Sequence, residues 1–252
     1  MLPGQMLLHY RLVEQIGEGG MGVVWKAEDT TLGREAAIKL LPQGFADDAE
    51  RLARFEREAK VLATLAHPNI AAIYGLHEVS GTRFLAMELV PGDDLSVRVA
   101  AGPLPVDEAL AIAAQIADAL QAAHEQGIIH RDLKPANLRV GEDGRVRVLD
   151  FGLAKAVETV TASDLSPTFS PTVTSAGSVA GVILGTAGYM SPEQARGKPV
   201  DRQTDVWSFG CVLYELLTGR SAFSGETVTD VLTGILHRDP DWDALPRLPA
   251  TV

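Results

Sequence analysis

The order of apolar and polar positions divides the chain into a strand-rich first third and a helix-rich remainder. Arg11 to Ile16 alternates in the manner of a half-buried strand. Val23 to Ala27 continues extended, and Arg34 to Leu40 follows a Thr-Thr-Leu-Gly turn. Between Arg51 and Leu65 the period changes: Phe55, Ala59, Leu62 and Leu65 fall on one helical stripe. Pro68 cannot continue that helix. Two further strands are predicted at Ile70 to Tyr74 and Phe84 to Leu89, either side of Ser80-Gly81-Thr82. Pro105 to Gln126 is the longest predicted helix, with Leu110, Ala113, Ala114, Ile116, Ala117, Leu120 and Ala123 on a broad apolar face and Gly127 as its stop. Leu138 to Val140 and Arg145 to Leu149 flank an Asp143-Gly144 turn, a strong local hairpin signal. Helices are predicted from Asp201 to Gly219 and from Thr227 to Arg238.

One stretch breaks the pattern. Thr159 to Gly181 is rich in Ser, Thr, Pro, Gly and Ala without a period, so it has little apolar surface to bury. The whole chain has 252 residues, of which 46% are hydrophobic, enough for one large domain or two packed lobes. The formal net charge of −11 disfavours a nucleic-acid partner. A single cysteine, Cys211, forbids an intrachain disulfide and fits a reducing, cytoplasmic location. With no activating His or basic neighbour in sequence, Cys211 reads as a buried structural thiol. No apolar run approaches the ~18 residues of a membrane span, and Met1 to Tyr10 has no signal-peptide character.

The candidate chemistry sits around the hairpin. It follows His130-Arg131-Asp132-Leu133-Lys134-Pro135-Ala136-Asn137 and ends in Asp150-Phe151-Gly152. The fold-back sets Asp132 and Asn137 at its entrance and Asp150 at its exit, and hard oxygen donors of this kind suit Mg²⁺. Near the start, Gly17, Gly19, Gly22 and Val24 form G-x-G-x-x-G-x-V, a backbone able to approach phosphates closely. A dinucleotide-binding unit needs a helix directly after such glycines. Here a strand is predicted instead, which favours a glycine-rich hairpin.

These motifs resemble those of the eukaryotic-type protein kinases, in the bacterial serine/threonine form. The likeness runs over roughly residues 10 to 240. It implies a two-lobed α+β fold: a five-stranded antiparallel N-lobe with one helix at about 10–89, then a hinge and a mainly helical C-lobe at about 90–252. It implies ATP and Mg²⁺ as cofactors and proteins bearing Ser or Thr as substrates. By resemblance Asp132 takes the substrate proton, Lys134 neutralises the γ-phosphate, and Asn137 and Asp150 hold Mg²⁺. Ala36-Ala37-Ile38-Lys39 is similar to the V-A-I-K strand, so Lys39 would meet the α- and β-phosphates and pair with Glu58, which sits beside the apolar stripe. Ile16, Gly17, Gly19, Gly22, Val24 and Ala37 would enclose the nucleotide. Met87 would stand beside the adenine, Glu88 and Val90 would read its edge, and Asp94 would reach the ribose. Gly185-Thr186-Ala187-Gly188-Tyr189-Met190-Ser191-Pro192-Glu193 is similar to the family's substrate platform, with Thr186 bonding Asp132 and Lys134. Asp205 would hydrogen-bond the catalytic-loop backbone.

Arg131 is a ready partner for a phosphorylated residue, and Thr168, Ser170, Thr172, Thr174, Ser175 and Ser178 are candidate acceptors, with Thr172 and Thr174 first. Three departures qualify the likeness. The chain stops at Val252, soon after the last predicted helix, where the family has further helices and an Arg that meets Glu193. A truncated domain is therefore expected, with Glu193 buried and unpaired at a cost of several kcal/mol. Arg139 stands where many kinases carry an apolar residue beneath the adenine. The segment from Gly152 to Glu193 is long. A non-catalytic scaffold is disfavoured by the joint presence of Lys39, Glu58, Asp132, Asn137 and Asp150, and a small-molecule phosphotransferase by the protein-substrate platform. A kinase–kinase dimer is compatible with the sequence.

Overall fold

The computed structural model describes residues 1–19, 22–41, 49–151 and 186–247. Its first part is one antiparallel sheet of β1 (Met6–Leu7), β2 (Tyr10–Gly19), β3 (Gly22–Asp29), β4 (Arg34–Leu40), β5 (Ile73–Val79) and β6 (Thr82–Glu88), in the order β1-β2-β3-β4-β6-β5. The sheet thus has six strands where five were expected. The extra one is the N-terminal segment folded back on β2, with Met6 opposite Arg11 and Leu7 opposite Tyr10. A two-residue strand carries no period to read, and its reason is burial: Leu7 and Tyr10 join Leu12, Trp25, Ile38 and Phe84 on the sheet's outer face.

The other face takes α1 (Ala49–Thr64), whose Phe55, Ala59 and Leu62 pack with Leu85 of β6. Lys39 is the cross-strand partner of Leu85, so it shares this inner face. The strand expected to start at Ile70 starts at Ile73. Residues 69–71 are held by the second half instead: Ile70 bridges in parallel to Val148, and the Ala71 N–H donates to the Val148 carbonyl at 3.0 Å. The Asn69 amide donates to Gln115 at 2.9 Å and to the Val146 carbonyl at 3.0 Å.

The second half contains α2 (Leu95–Ala100), α3 (Val106–Glu125), the ribbon β7 (Leu138–Val140) and β8 (Val146–Val148), then α4 (Pro192–Ala195), α5 (Arg202–Thr218) and α6 (Val228–His237). Gly219 ends α5 in the left-handed region at φ 67°, and a Cβ there would meet the Pro103 nitrogen at 2.9 Å. The α3 and α5 helices pack on each other. One apolar cluster runs from Phe55 and Leu62 of α1 through Leu133, Leu138 and Val148 to Ile116, Leu120, Val212 and Leu216, joining both halves. A smaller cluster sets Cys211 with Phe223, Val231 and Ile235. Burial pushes the Cys211 thiol up to about 12, so it is inert, in line with a structural thiol. No helix among the described residues is long and apolar enough to cross a membrane.

Candidate active site

The loop before β7 is shaped from below by α5. Asp205, fully buried, accepts the backbone N–H groups of His130 and Arg131, each at 2.8 Å, and lies 2.7 Å from His124 Nε2. These bonds hold Arg131 at φ 67°, a backbone state that side chains disfavour. His130 is itself buried, and its ring closes the loop. Its Nδ1 accepts the Asp132 N–H at 3.2 Å, while its Nε2 faces the Leu149 carbonyl at 2.9 Å. One nitrogen accepts and the other donates, as in neutral imidazole. Burial lowers its pKa and outweighs the opposing pull of Asp205 and Asp132.

Asp132, Asn137 and Asp150 then meet at one end of the ribbon. The Asn137 amide donates to the Asp132 carbonyl at 2.7 Å and to its carboxylate at 3.1 Å. The Leu149 N–H bonds the Asn137 carbonyl at 2.8 Å, which brings Asp150 alongside. Asp150 leaves β8 in the left-handed region, at φ 55°. Lys134 Nζ lies 2.9 Å from the Asp132 carboxylate and donates to Thr186 at 3.2 Å. Lys39 Nζ reaches down from β4 to within 2.9 Å of the Asp150 carboxylate.

The expected Lys39–Glu58 pair is not the one formed. Glu58 Oε1 instead faces Arg131 Nη1 at 3.5 Å. The cause is competition among charges. Asp150, turned back by its backbone, offers Lys39 a carboxylate at contact, and Arg131 supplies the cation that Glu58 meets. The four side chains form two ion pairs, one tying the sheet to the end of the ribbon and the other tying α1 to the loop before it.

The segment between the halves approaches the ribbon closely. Gly92 lies at φ 90°, and a Cβ there would meet the Val140 carbonyl at 3.3 Å. Arg139 does not lie free: its guanidinium donates to the Val90 carbonyl at 3.2 Å and also to the Gly92 carbonyl. Its cross-strand neighbour Arg147 lies 3.3 Å from the Glu88 carboxylate, whose other oxygen accepts the Ala72 N–H at 3.0 Å. Met87 packs against the main core. The Asp94 carboxylate caps α2 by accepting the Ser96 N–H at 2.9 Å, which commits one oxygen of a side chain expected to face a ribose.

Opposite the ribbon, β2 and β3 pair as Gly17 with Val24 and Gly19 with Gly22. Strand therefore flanks the glycines on both sides, and the strand–helix unit of a dinucleotide site is absent here. Ile16 stands at 40% exposure, and Ala37 is buried across from Met87.

On the platform side, Ser191 and Gln194 form a reciprocal cap on α4. Glu193 is neither fully buried nor unpaired: it accepts the Thr204 hydroxyl at 2.6 Å. Burial alone would raise its carboxyl, but bonds from Thr204, the backbone and Ser191 outweigh that and hold it low. Thr204 thus fills the need that the sequence assigned to an arginine. Thr168, Ser170, Thr172, Thr174, Ser175, Ser178 and Gly185 lie outside the described residues. Sequence reasoning missed Gln194, whose amide donates to the Arg131 carbonyl at 2.8 Å. The Ser191-x-x-Gln194 spacing signals its cap, but nothing local signals the reach to Arg131.

Comparison with known proteins adds the following. The family described as "Protein kinase domain" matches residues 10–245. A probable serine/threonine-protein kinase of Corynebacterium efficiens is 43% identical over 236 residues, covering 92% of this chain and 34% of that relative. Serine/threonine-protein kinase PrkC of Bacillus subtilis is 42% identical, covering 88% of this chain and 32% of its own length. PknA of Mycobacterium tuberculosis is 39% identical, covering 96% and 54%. The chain therefore spans about a third of the first two relatives and about half of the third. The crystallised PknI kinase domain of M. tuberculosis superposes with a TM-score of 0.66 at 28% identity, covering 88% of this chain and 77% of that one.

Proposed function

Since the chain belongs to the protein kinase family, we propose that it transfers the γ-phosphoryl group of ATP to serine and threonine hydroxyls of proteins. The supporting observation is the meeting of Asp132, Asn137 and Asp150 at one ribbon end, with Lys134 and Lys39 each 2.9 Å from a carboxylate of that set.

The donor set fits Mg²⁺. Among the described residues no three His, Cys, Asp or Glu side chains converge as a complete metal cage. Two carboxylates and an amide, partly open to solvent, match an ion that keeps phosphate oxygens and water in its shell. Asn137 and Asp150 would hold it, and when bound it supplies charge neutralisation at the phosphate oxygens.

The chain's own residues do the rest. Asp132 orients the acceptor hydroxyl and takes its proton, and Lys134 compensates charge on the transferring group. Thr186, bonded to Lys134, lines the acceptor side. Lys39 holds the α- and β-phosphates, with Glu58 as its support once Glu58 leaves Arg131. The glycine hairpin with Val24 and Ala37 covers the nucleotide, and the Glu88 carbonyl and Val90 N–H read the base. Arg131 is the partner for a phosphate added within Thr168 to Ser178, Thr172 and Thr174 first. A cytoplasmic setting and kinase–kinase pairing belong to the same proposal.

Intact mass before and after Mg-ATP tests it, beside Asp132→Asn. Gains in steps of about 80 Da that vanish in the variant are expected, together with label transfer to a dephosphorylated protein mixture. Neither gain nor transfer by the wild type overturns the reading.

A further inference from the structure

We propose that Gln194 is a positioning residue for the catalytic loop, an assignment that rests on the kinase reading above. Its amide fastens the Arg131 carbonyl, and so the orientation of Asp132, to the first turn of α4.

Both ends of this amide are engaged. Oε1 accepts the Ser191 N–H at 3.0 Å, and Nε2 donates to the Arg131 carbonyl at 2.8 Å. The second bond falls at a sensitive place. Arg131 is held at φ 67°, so its peptide gains by relaxing unless both sides are fixed. Asp205 fixes the N–H side, through His130 and Arg131. Gln194 fixes the carbonyl of the peptide that leads into Asp132. Without it, that peptide keeps only the longer 3.2 Å bond from the Asp132 N–H to His130 Nδ1, and its carbonyl, on the strained Arg131 side, is free to tilt and shift the Asp132 carboxylate from its place against Asn137 and Lys134.

The residue type carries a second clue. The third helical position of a reciprocal cap accepts Glu as readily as Gln, because the cap needs only an acceptor oxygen. The bond to Arg131 needs a donor, which an amide has and a carboxylate lacks. The cap alone does not call for Gln; the pair of bonds does. Because α4 follows Thr186 to Met190 directly, one side chain couples the acceptor platform to the residue that takes the acceptor's proton.

Gln194→Glu separates the two roles. It keeps the cap and sets an anion against the Arg131 carbonyl. Expected are a fall in kcat of about ten- to a hundredfold, a KM for ATP within about twofold of wild type, and a Tm within about 3 °C. Ser191→Ala weakens the cap through its hydroxyl alone and keeps the N–H that holds Gln194 Oε1, so it should lower Tm while costing less kcat than Gln194→Glu does. Wild-type kcat in Gln194→Glu overturns the proposal. So does a kcat loss in Ser191→Ala as large as that in Gln194→Glu, since the effect would then follow helix stability. Should Gln194→Glu fail to fold, Gln194→Met keeps the length and drops both polar ends; kcat within about twofold of wild type then overturns the proposal. Wild type beside Asp132→Asn reports on the kinase reading alone. Transfer lost only with Asp132 upholds that reading whatever Gln194 does, and a wild type without transfer overturns both.

Discussion

Asp205→Ala offers the most direct measure of how the site is held. Asp205 is fully buried on α5 and receives the N–H groups of His130 and Arg131 at 2.8 Å each, with His124 at 2.7 Å. Truncation leaves two backbone donors without an acceptor beneath the core, in a place where no side chain of the loop can replace the carboxylate. Each buried unpaired donor costs about 1–3 kcal/mol, and bonds to a charged acceptor sit in the upper part of that range. A loss of about 3–5 kcal/mol follows, against a total stability of about 5–15 kcal/mol for a typical domain. For a chain of this size that is a Tm drop of roughly 6–20 °C. Asp205→Asn keeps one acceptor and turns a donor toward the other N–H, so roughly half the loss is expected. Urea unfolding followed by the emission of the three tryptophans gives the free energy, and phosphoryl transfer gives the functional consequence. A loss below about 1 kcal/mol in Asp205→Ala, with unchanged kcat, would refute the claim that α5 shapes the loop through this carboxylate.

Three other outcomes are expected. Lys39→Met should cut phosphoryl transfer at least about a hundredfold while moving Tm by no more than about 3 °C, because Asp150 keeps access to solvent; steady-state transfer and a melting curve check both parts. Stability should fall on acidification: burial lowers the pKa of His130, and burial with His9 nearby lowers that of His77. The unfolded chain then binds more protons than the folded one, so stability is full above the unfolded histidine value of about 6.5 and is lost as pH drops below it; a Tm that stays flat from pH 7.5 to 5.5 contradicts this. Cys211 should resist iodoacetamide at pH 8 in the folded chain and react once urea unfolds it, as labelling read by mass would report.

The parts of the fold that recur with a period were legible in the sequence, and those set by long-range contact were not. The run Pro105 to Gln126 reads as a helix because apolar residues recur along it, and α3 occupies Val106–Glu125. Its buried face is rotated from the expected one, with Ala109, Ile112 and Ala119 inside, Ala114 and Ala117 exposed and Leu110 half-buried, because the abundance of alanine blurs the stripe. Thr227 and Gly219 mark the start of α6 and the end of α5 as cap chemistry requires. β1 escaped because two residues have no period. Ile70 misled because an apolar residue just after a Pro-Asn pair resembles a strand start, while its real partner is Val148, far along the chain. The candidate site divides likewise. Asp132, Asn137 and Asp150 stand together because one hairpin joins them locally. The exchange of partners among Lys39, Glu58, Arg131 and Asp150 depends on where two lobes set four charges, which no local spacing encodes. Thr204 in place of an arginine beside Glu193 is a contact of the same kind.

Arg131 and Asp150 share the left-handed backbone that glycine adopts without steric cost. A side chain held there costs about 1–3 kcal/mol. At both positions that side chain also makes an ion pair, Arg131 with Glu58 and Asp150 with Lys39. Glycine would relieve the backbone but give up the pair and loosen the unfolded chain. The strain at the two positions is thus kept in place by the same charges that tie the two halves of the protein together.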